Sequence, residues 1–484
     1  MSQYVCEKCG KDFKQQSRLM RHSNRKTPCV RVEPVKETVV QPPPPAVIPA
    51  NELILTPTDI SITNSSFEEI STYYDTVFNV DKTTYVSSND EPTPMNCVKE
   101  LIDSIPINFW ETPDLQILDP CCGNGNFGVH LYHKLLAHHS TQSILENILE
   151  FNDINVQRLE NVRKIFDADA YQLQITQHDF LNTEYNKSYD LIVANPPYAK
   201  LLENGKRASK NHNLIKPFIK RSLELLKPDG YLLFITPDNW MSYADRNELI
   251  KILTRLQIVH LDIHRAKKYF KKIGSSFTWY LIQNRPATTN ITVSGIWKKI
   301  EYISSIPSIE RKYIPLLYTN EVYSILSKTV DMAELEKYKV ETSSDLHRYT
   351  KREVIRDVAD DIYKYRLIHT AKQTCYASRP HKYQEGYKVF ITTTDKYKVF
   401  VDDCGMTQSI VFIRCAGLDD ANRIKTILEH PLYVFINNIC RWGNFNNIRI
   451  LQSFPIPMVD SYDETTIYRH FNITDEEIRF MNEH

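Results

Sequence analysis

The sequence predicts an α/β fold built on a mostly parallel sheet with helices on both faces. Three observations predict it. Between about residues 85 and 285, short apolar runs alternate with segments of helical length. One run, Leu115-Gln-Ile-Leu-Asp119, passes through the glycine-bearing turn Pro120-Cys121-Cys122-Gly123-Asn124-Gly125-Asn126 toward a helix. Another, Leu191-Ile-Val-Ala, stops on Asn195-Pro196-Pro197-Tyr198. The length of 484 residues, 42% hydrophobic and 24% charged, suits a soluble globular chain of two or three domains. The 59 basic residues balance the 59 acidic ones, so net charge points to no polyanionic partner.

Residues 1–31 read as a zinc finger. Cys6 and Cys9 form a Cys-x2-Cys knuckle, His22 follows, and Cys29 closes a tetrahedral set. Phe13 and Leu19 have the spacing of the small core that a unit folding only with metal needs. The segment resembles a Cys2His2-type finger with cysteine as the last ligand, although the gap from His22 to Cys29 is longer than usual. In that resemblance Gln15, Arg18 and Arg21 face base edges; protein docking is the competing role. The segment carries eight Lys/Arg against Glu7 and Asp12. The ending Asn24-Arg25-Lys26-Thr27-Pro28-Cys29 is similar to fingers in large DNA viruses of eukaryotes, whose cytoplasmic factories would then be its location.

Residues 32–50, with Pro34, Pro42 to Pro45 and Pro49, are an extended linker. Residues 51–285 form the α/β domain, with no nuclease motif between 51 and 85. Its predicted strands are 116–119, 148–153, 189–194 and 231–236. A helix over 216–226 ends at Lys227-Pro228-Asp229-Gly230. Residues 286–484 form an α+β domain. Runs 387–392 and 397–402 alternate around Thr394-Asp395-Lys396 as a hairpin, 408–414 adds a strand, and 421–430 and 475–482 are helical. No apolar stretch approaches the roughly 20 residues that span a bilayer, and there is no signal peptide, so an intracellular chain with no membrane partner is expected. The cysteines outside the finger read as free thiols of a reducing compartment.

The motifs carry a chemistry. An open α/β sheet presents nucleotide-like ligands at its strand carboxyl ends, where Gly123 and Gly125 permit close backbone approach and Asp119 can bind an amino group. The Gly-Lys-Ser/Thr ending of a phosphate loop is missing. Asn195 and the Pro196 carbonyl are acceptors for an amine, and Tyr198 can stack on a base; a strand ending in a rigid turn is the bland alternative.

In motif order the chain resembles the γ group of S-adenosylmethionine-dependent adenine-N6 DNA methyltransferases, from about residue 85 to the C-terminus. The resemblance implies a Rossmann-like domain with a mixed, mostly parallel sheet, and a C-terminal target-recognition domain. Thr93, in Glu91-Pro-Thr93-Pro94, then contacts the methionine end of the cofactor. Asp153, in Asn152-Asp153-Ile154-Asn155, binds the ribose hydroxyls; the family often has a second acid where Asn155 stands, leaving Glu150 as a substitute. Asp179 accepts from the cofactor's adenine amine and Phe180 packs on that ring. Phe270 closes the second face of the flipped base, with Tyr269 and Phe277 as competitors. Lys200, Lys206, Arg207 and Lys210, with Arg265, Lys267, Lys268, Lys271 and Lys272, form two basic stretches for phosphates or solvent. Implied partners are duplex DNA and a separately encoded restriction endonuclease. Related folds methylate RNA adenines or protein glutamines, and a non-catalytic DNA-binding protein is a further alternative; the finger and the large C-terminal domain favour DNA, and the intact motifs favour an enzyme.

Overall fold

Continuous apolar runs place the central strands, and the points where those runs stop define one working edge. The computed structural model describes residues 4–6, 12–13, 20, 22, 60–81, 83, 91–199, 214–270, 274, 276–394 and 396–484. Two units are separate, Met1–Leu55 and Thr56–His484.

In the first unit, β1 (Tyr4–Val5) pairs antiparallel with β2 (Asp12–Phe13). His22 is helical, and Cys6 and His22 are both buried. Cys9 and Cys29 lie outside the described residues, as do Gln15, Arg18, Arg21, the linker 32–50 and the lysines and arginines expected at 200–210 and 271–272. Among the described residues no group of three or more His, Cys, Asp or Glu gathers to hold a metal.

The second unit is built on nine strands. These are β3 (Ile117–Asp119), β4 (Leu149–Asn152), β5 (Gln174–Thr176), β6 (Tyr189–Ala194), β7 (Leu226–Pro237), β8 (Leu256–Ile263), β9 (Phe277–Pro286), β10 (Ile291–Trp297) and β11 (Ile300–Ile306). Their order is β11-β10-β8-β9-β7-β6-β3-β4-β5. The half from β5 to β7 is parallel, and β9 runs antiparallel between β7 and β8. The chain leaves β3 in one direction, toward β4 and β5, and returns on its other side at β6. That reversal opens a crevice at the carboxyl ends of β3 and β6, where open sheets bind ligands.

The strands expected at 116–119, 148–153 and 189–194 are present, within a residue or two at their ends. The helix Ile215–Leu225 passes directly into β7. The helix ends where Lys227-Pro228-Asp229-Gly230 was expected to stop it, and those residues form a bulge at the start of the strand: Tyr189 faces Leu226 and Leu191 faces Tyr231. Asp229 there takes φ of +62°. The sheet does not end at the expected boundary, residue 285, since β10 pairs parallel with β8 and antiparallel with β11.

Beyond Ile306, β12 (Lys388–Thr392) and β13 (Val399–Asp402) form the expected hairpin, and β14 (Ile410–Arg414) joins it. A four-stranded sheet built around residues 365–370 and 373–377 had no counterpart in the sequence reading. The helices Leu418–Leu428, Pro431–Ile439 and Asp475–Glu483 cover a core shared with the hairpin. Among the described residues no helix is long and apolar enough to cross a membrane.

Candidate active site

The glycine turn is held by side chains from neighbouring segments. Gly123 and Gly125 have φ of +55° and +88°, conformations that cost other residues strain. A Cβ on Gly128 would sit 2.4 Å from Phe151, so this glycine is required by packing of the helix Asn126–Leu135 on β4. Asp153 fixes the turn directly: its Oδ2 accepts from the Gly123 N–H at 2.9 Å and its Oδ1 from the Asn155 N–H at 2.8 Å. Tyr74, fully buried, donates its hydroxyl to the Asn124 carbonyl at 2.6 Å.

Asn152 is the hub that the sequence reading missed. It is 1% exposed. Its Nδ2 donates to the carbonyls of Pro120 (2.9 Å) and His178 (3.1 Å). Its Oδ1 accepts from the Thr176 hydroxyl and the His178 N–H, both at 3.0 Å. One amide thus satisfies backbone from the turns after both β3 and β5, groups that would otherwise be buried without partners. The available signal was an asparagine at the end of the expected strand, just ahead of Asp153. Asn155 is an N-cap, its Oδ1 accepting from Gln157 and Arg158 at the start of the helix Val156–Ile165, rather than a lost acid. Glu150, the expected substitute, is bound instead by Lys187 at 2.6 Å and the Tyr189 hydroxyl at 3.0 Å.

On the opposite wall, the Asn195 amide has a defined orientation. Its Nδ2 donates to the Glu91 carbonyl and to Thr93 Oγ1, both at 3.1 Å. Its Oδ1 accepts from the Tyr198 hydroxyl at 2.6 Å. Thr93 is buried and is itself held through its carbonyl by Asn126 Nδ2 at 2.9 Å. A cavity of about 550 Å³ brings together Thr93, Gly123, Asp153, Asp179, Phe180, Asn195, Pro196 and Tyr198. Asp179 stands exposed and accepts from the Leu181 N–H at 3.1 Å and from Asn182 Nδ2 at 2.6 Å.

Three expected residues do not line this cavity: Asp119, Gly125 and Phe270. Phe270 is 3% exposed and packs on Phe277 at 4.8 Å between ring centroids. Phe277 is the aromatic that approaches Tyr198, at 6.1 Å. The Tyr269 hydroxyl is taken by Glu100 at 2.6 Å.

Asp119 lies buried beneath the turn. Its Oδ1 accepts from the Cys121 N–H at 3.3 Å, and its Oδ2 is buried with no hydrogen-bond partner among the described residues. Burial pushes this carboxyl well above the usual range, and Asp153 beside it pushes further. Burial likewise pushes the Cys122 thiol well above its usual range.

Residues 115–270 match the family described as Eco57I restriction-modification methylase. The Type II methyltransferase M.VspI of Vibrio sp. (strain 343) is 28% identical over 181 residues, 35% of this chain and 42% of that protein. The modification methylase CviBIII of Paramecium bursaria Chlorella virus NC1A is 28% identical over 200 residues, 40% of this chain and 50% of that protein. A tRNA1(Val) (adenine(37)-N6)-methyltransferase of Parabacteroides distasonis is 29% identical over 160 residues, 31% of this chain and 62% of that protein. The chain spans about half the length of the first two of these relatives. The matched region holds the turn, the crevice and Asn195, and the architecture is a methyltransferase-like mixed α/β fold around a large central sheet.

The buried acid predicts a pH signature. A carboxyl whose folded-state pKa is raised disfavours folding once ionised, so the penalty is absent below about pH 4 and grows as pH rises. Asp119→Asn keeps an acceptor for Cys121 and removes the charge. Without ligand, thermal melts of the two proteins should coincide near pH 4, and the Asn variant should melt progressively higher toward about pH 8. A gap that is missing, or that narrows with pH, would contradict the assigned environment.

Proposed function

We propose that this protein transfers a methyl group from S-adenosylmethionine to the N6 amine of adenine in duplex DNA, after rotating the base out of the helix. The observation that carries this reading is the Asn195 amide. With both its N–H groups engaged by Glu91 and Thr93, its oxygen is the atom left for a substrate, beside the glycine turn.

The residues fit the methyl donor. The cavity places Asp153 for the ribose hydroxyls, Thr93 for the methionine end, and Asp179 and Phe180 for the adenine. Bound there, the cofactor supplies an activated methyl group. Asn195 Oδ1 and the Pro196 carbonyl accept from the target amine and stabilise the positive charge it acquires. In the described conformation Tyr198 donates to Asn195 Oδ1, so base binding requires the hydroxyl to yield that oxygen and the ring to turn onto the base. Phe277 or Phe270 closes the other face. Alignment of amine and methyl in a closed pocket supplies much of the acceleration. The methyltransferase relatives of restriction-modification systems support DNA as substrate, and the tRNA enzyme supports RNA as the second reading.

We assign residues 1–31 a structural zinc ion held by Cys6, Cys9, His22 and Cys29, with the finger acting as a basic anchor on DNA. The burial of Cys6 and His22 beside the β1–β2 hairpin supports this. Metal analysis of the full-length protein should find one zinc per chain, lost in His22→Ala; a zinc-free wild type would remove the assignment.

Asn195→Ala should lose on the order of 3 kcal/mol or more of transition-state stabilisation, at least a hundredfold in rate. Tritiated methyl transfer should go to duplex DNA with wild type and fall away in the variant, while calorimetry shows cofactor affinity retained. Full transfer by Asn195→Ala, or label entering tRNA in preference to DNA, would overturn the reading.

A further inference from the structure

A loop from the C-terminal part of the chain rests on the same sheet edge as Asn195. Strands β6, β7 and β8 point the same way, since β9 is antiparallel to both β7 and β8. Residues 195–198, 238–241 and 264, which follow them, therefore share one edge. Residues 441–447 dock there. Trp442 Nε1 donates to the Ile314 carbonyl at 2.9 Å, and its ring meets His264 edge-on at 5.4 Å. His264 is in turn fixed to Asp238 at 2.6 Å. Asn447 Nδ2 donates to Ser242 Oγ at 3.1 Å and the Tyr243 carbonyl at 3.0 Å, and Arg449 pairs with Asp245.

The loop is also lashed to the β12–β13 hairpin. Buried Asn446 donates its N–H to the Thr393 carbonyl at 2.8 Å and its Nδ2 to the Thr392 carbonyl at 2.7 Å, and Phe445 bridges Thr394 through the backbone. Its flanks are thus pinned, yet its tip stands out. Phe445 is 61% exposed, next to exposed Gly443 and Asn444. Lys396 and Lys398 on the hairpin and Arg246 beside Asp245 are exposed as well. A large apolar ring held on a braced loop, outside any core and accompanied by cations, is placed for an apolar surface within a polyanion.

We infer that Phe445 is a wedge that enters the base stack of duplex DNA and fills the space left by the extruded adenine, with Lys396, Lys398 and Arg246 on the flanking phosphates. This rests on the DNA reading proposed above. Extrusion sacrifices stacking on both sides of the base, and an aromatic ring already fixed in place restores it.

The test uses full-length protein in single turnover with saturating S-adenosylmethionine. The duplex contains the site found by sequencing DNA that the wild type has methylated, with the target adenine either paired with thymine or opposed to an abasic position. Phe445→Ala should slow transfer on the paired duplex by on the order of tenfold or more and regain the wild-type rate on the abasic one, whereas Phe445→Trp keeps both rates. An unchanged melting temperature and cofactor affinity would confirm that the fold is intact. Equal rates for Phe445→Ala and wild type on the paired duplex, or an equal loss on both duplexes, would overturn the wedge. No transfer to any DNA by the wild type would instead sink the DNA reading, and the wedge with it.

Discussion

The orientation of one side-chain amide constrains the rest of the site. Asn195 can present its oxygen to a substrate only while its nitrogen is engaged elsewhere, and Glu91 and Thr93 engage it. Thr93 depends on Asn126, in the first turn of the helix that the glycine turn launches. Asn126 also reaches Asn79, and the turn is tied to Asp153 and braced by Tyr74. Donor-side and acceptor-side segments therefore share one frame, and a displacement of either is felt by the other. Shared framing matters because alignment, rather than acid–base chemistry, supplies most of what a displacement at an activated methyl needs.

The same frame stores unfavourable electrostatics. Asp119 is buried with an unpartnered oxygen and Asp153 nearby, an arrangement that costs stability when the carboxyl is ionised. Asn152 works the other way, satisfying backbone groups of two turns. Such bracing of the turn preorganises the cavity beside it.

What the sequence disclosed follows from interaction range. Residues 189–194 read correctly as a strand because a central parallel strand is buried on both faces, which the unbroken apolar run 191–194 reflects. The glycine turn was legible because positive φ demands glycine. Asn152 was not, since its partners lie 24 to 32 residues away and nothing local marks them. The N-cap role of Asn155 was not read, because capping and ligand binding use the same residue types at a strand–helix junction. The expected boundary at 285 failed because Arg285-Pro-Ala-Thr-Thr-Asn looks like a linker yet turns the chain back to pair β10 with β8. Which of Phe270 and Phe277 approaches Tyr198 was not legible, because two aromatics seven residues apart differ only in tertiary contacts: Phe277 meets Tyr198 at 6.1 Å, and Phe270 packs behind it.

The shared frame is tested most directly at Thr93. Thr93→Val preserves shape but removes the acceptor that orients Asn195, and saturating cofactor removes any contribution from cofactor affinity. The measurement is the single-turnover methylation rate at saturating S-adenosylmethionine. Loss of one net hydrogen bond, about 1 kcal/mol, should slow transfer roughly fivefold or more in Thr93→Val, and Thr93→Ser should restore it. A Thr93→Val rate equal to wild type would mean that Asn195 is oriented by something other than this clamp.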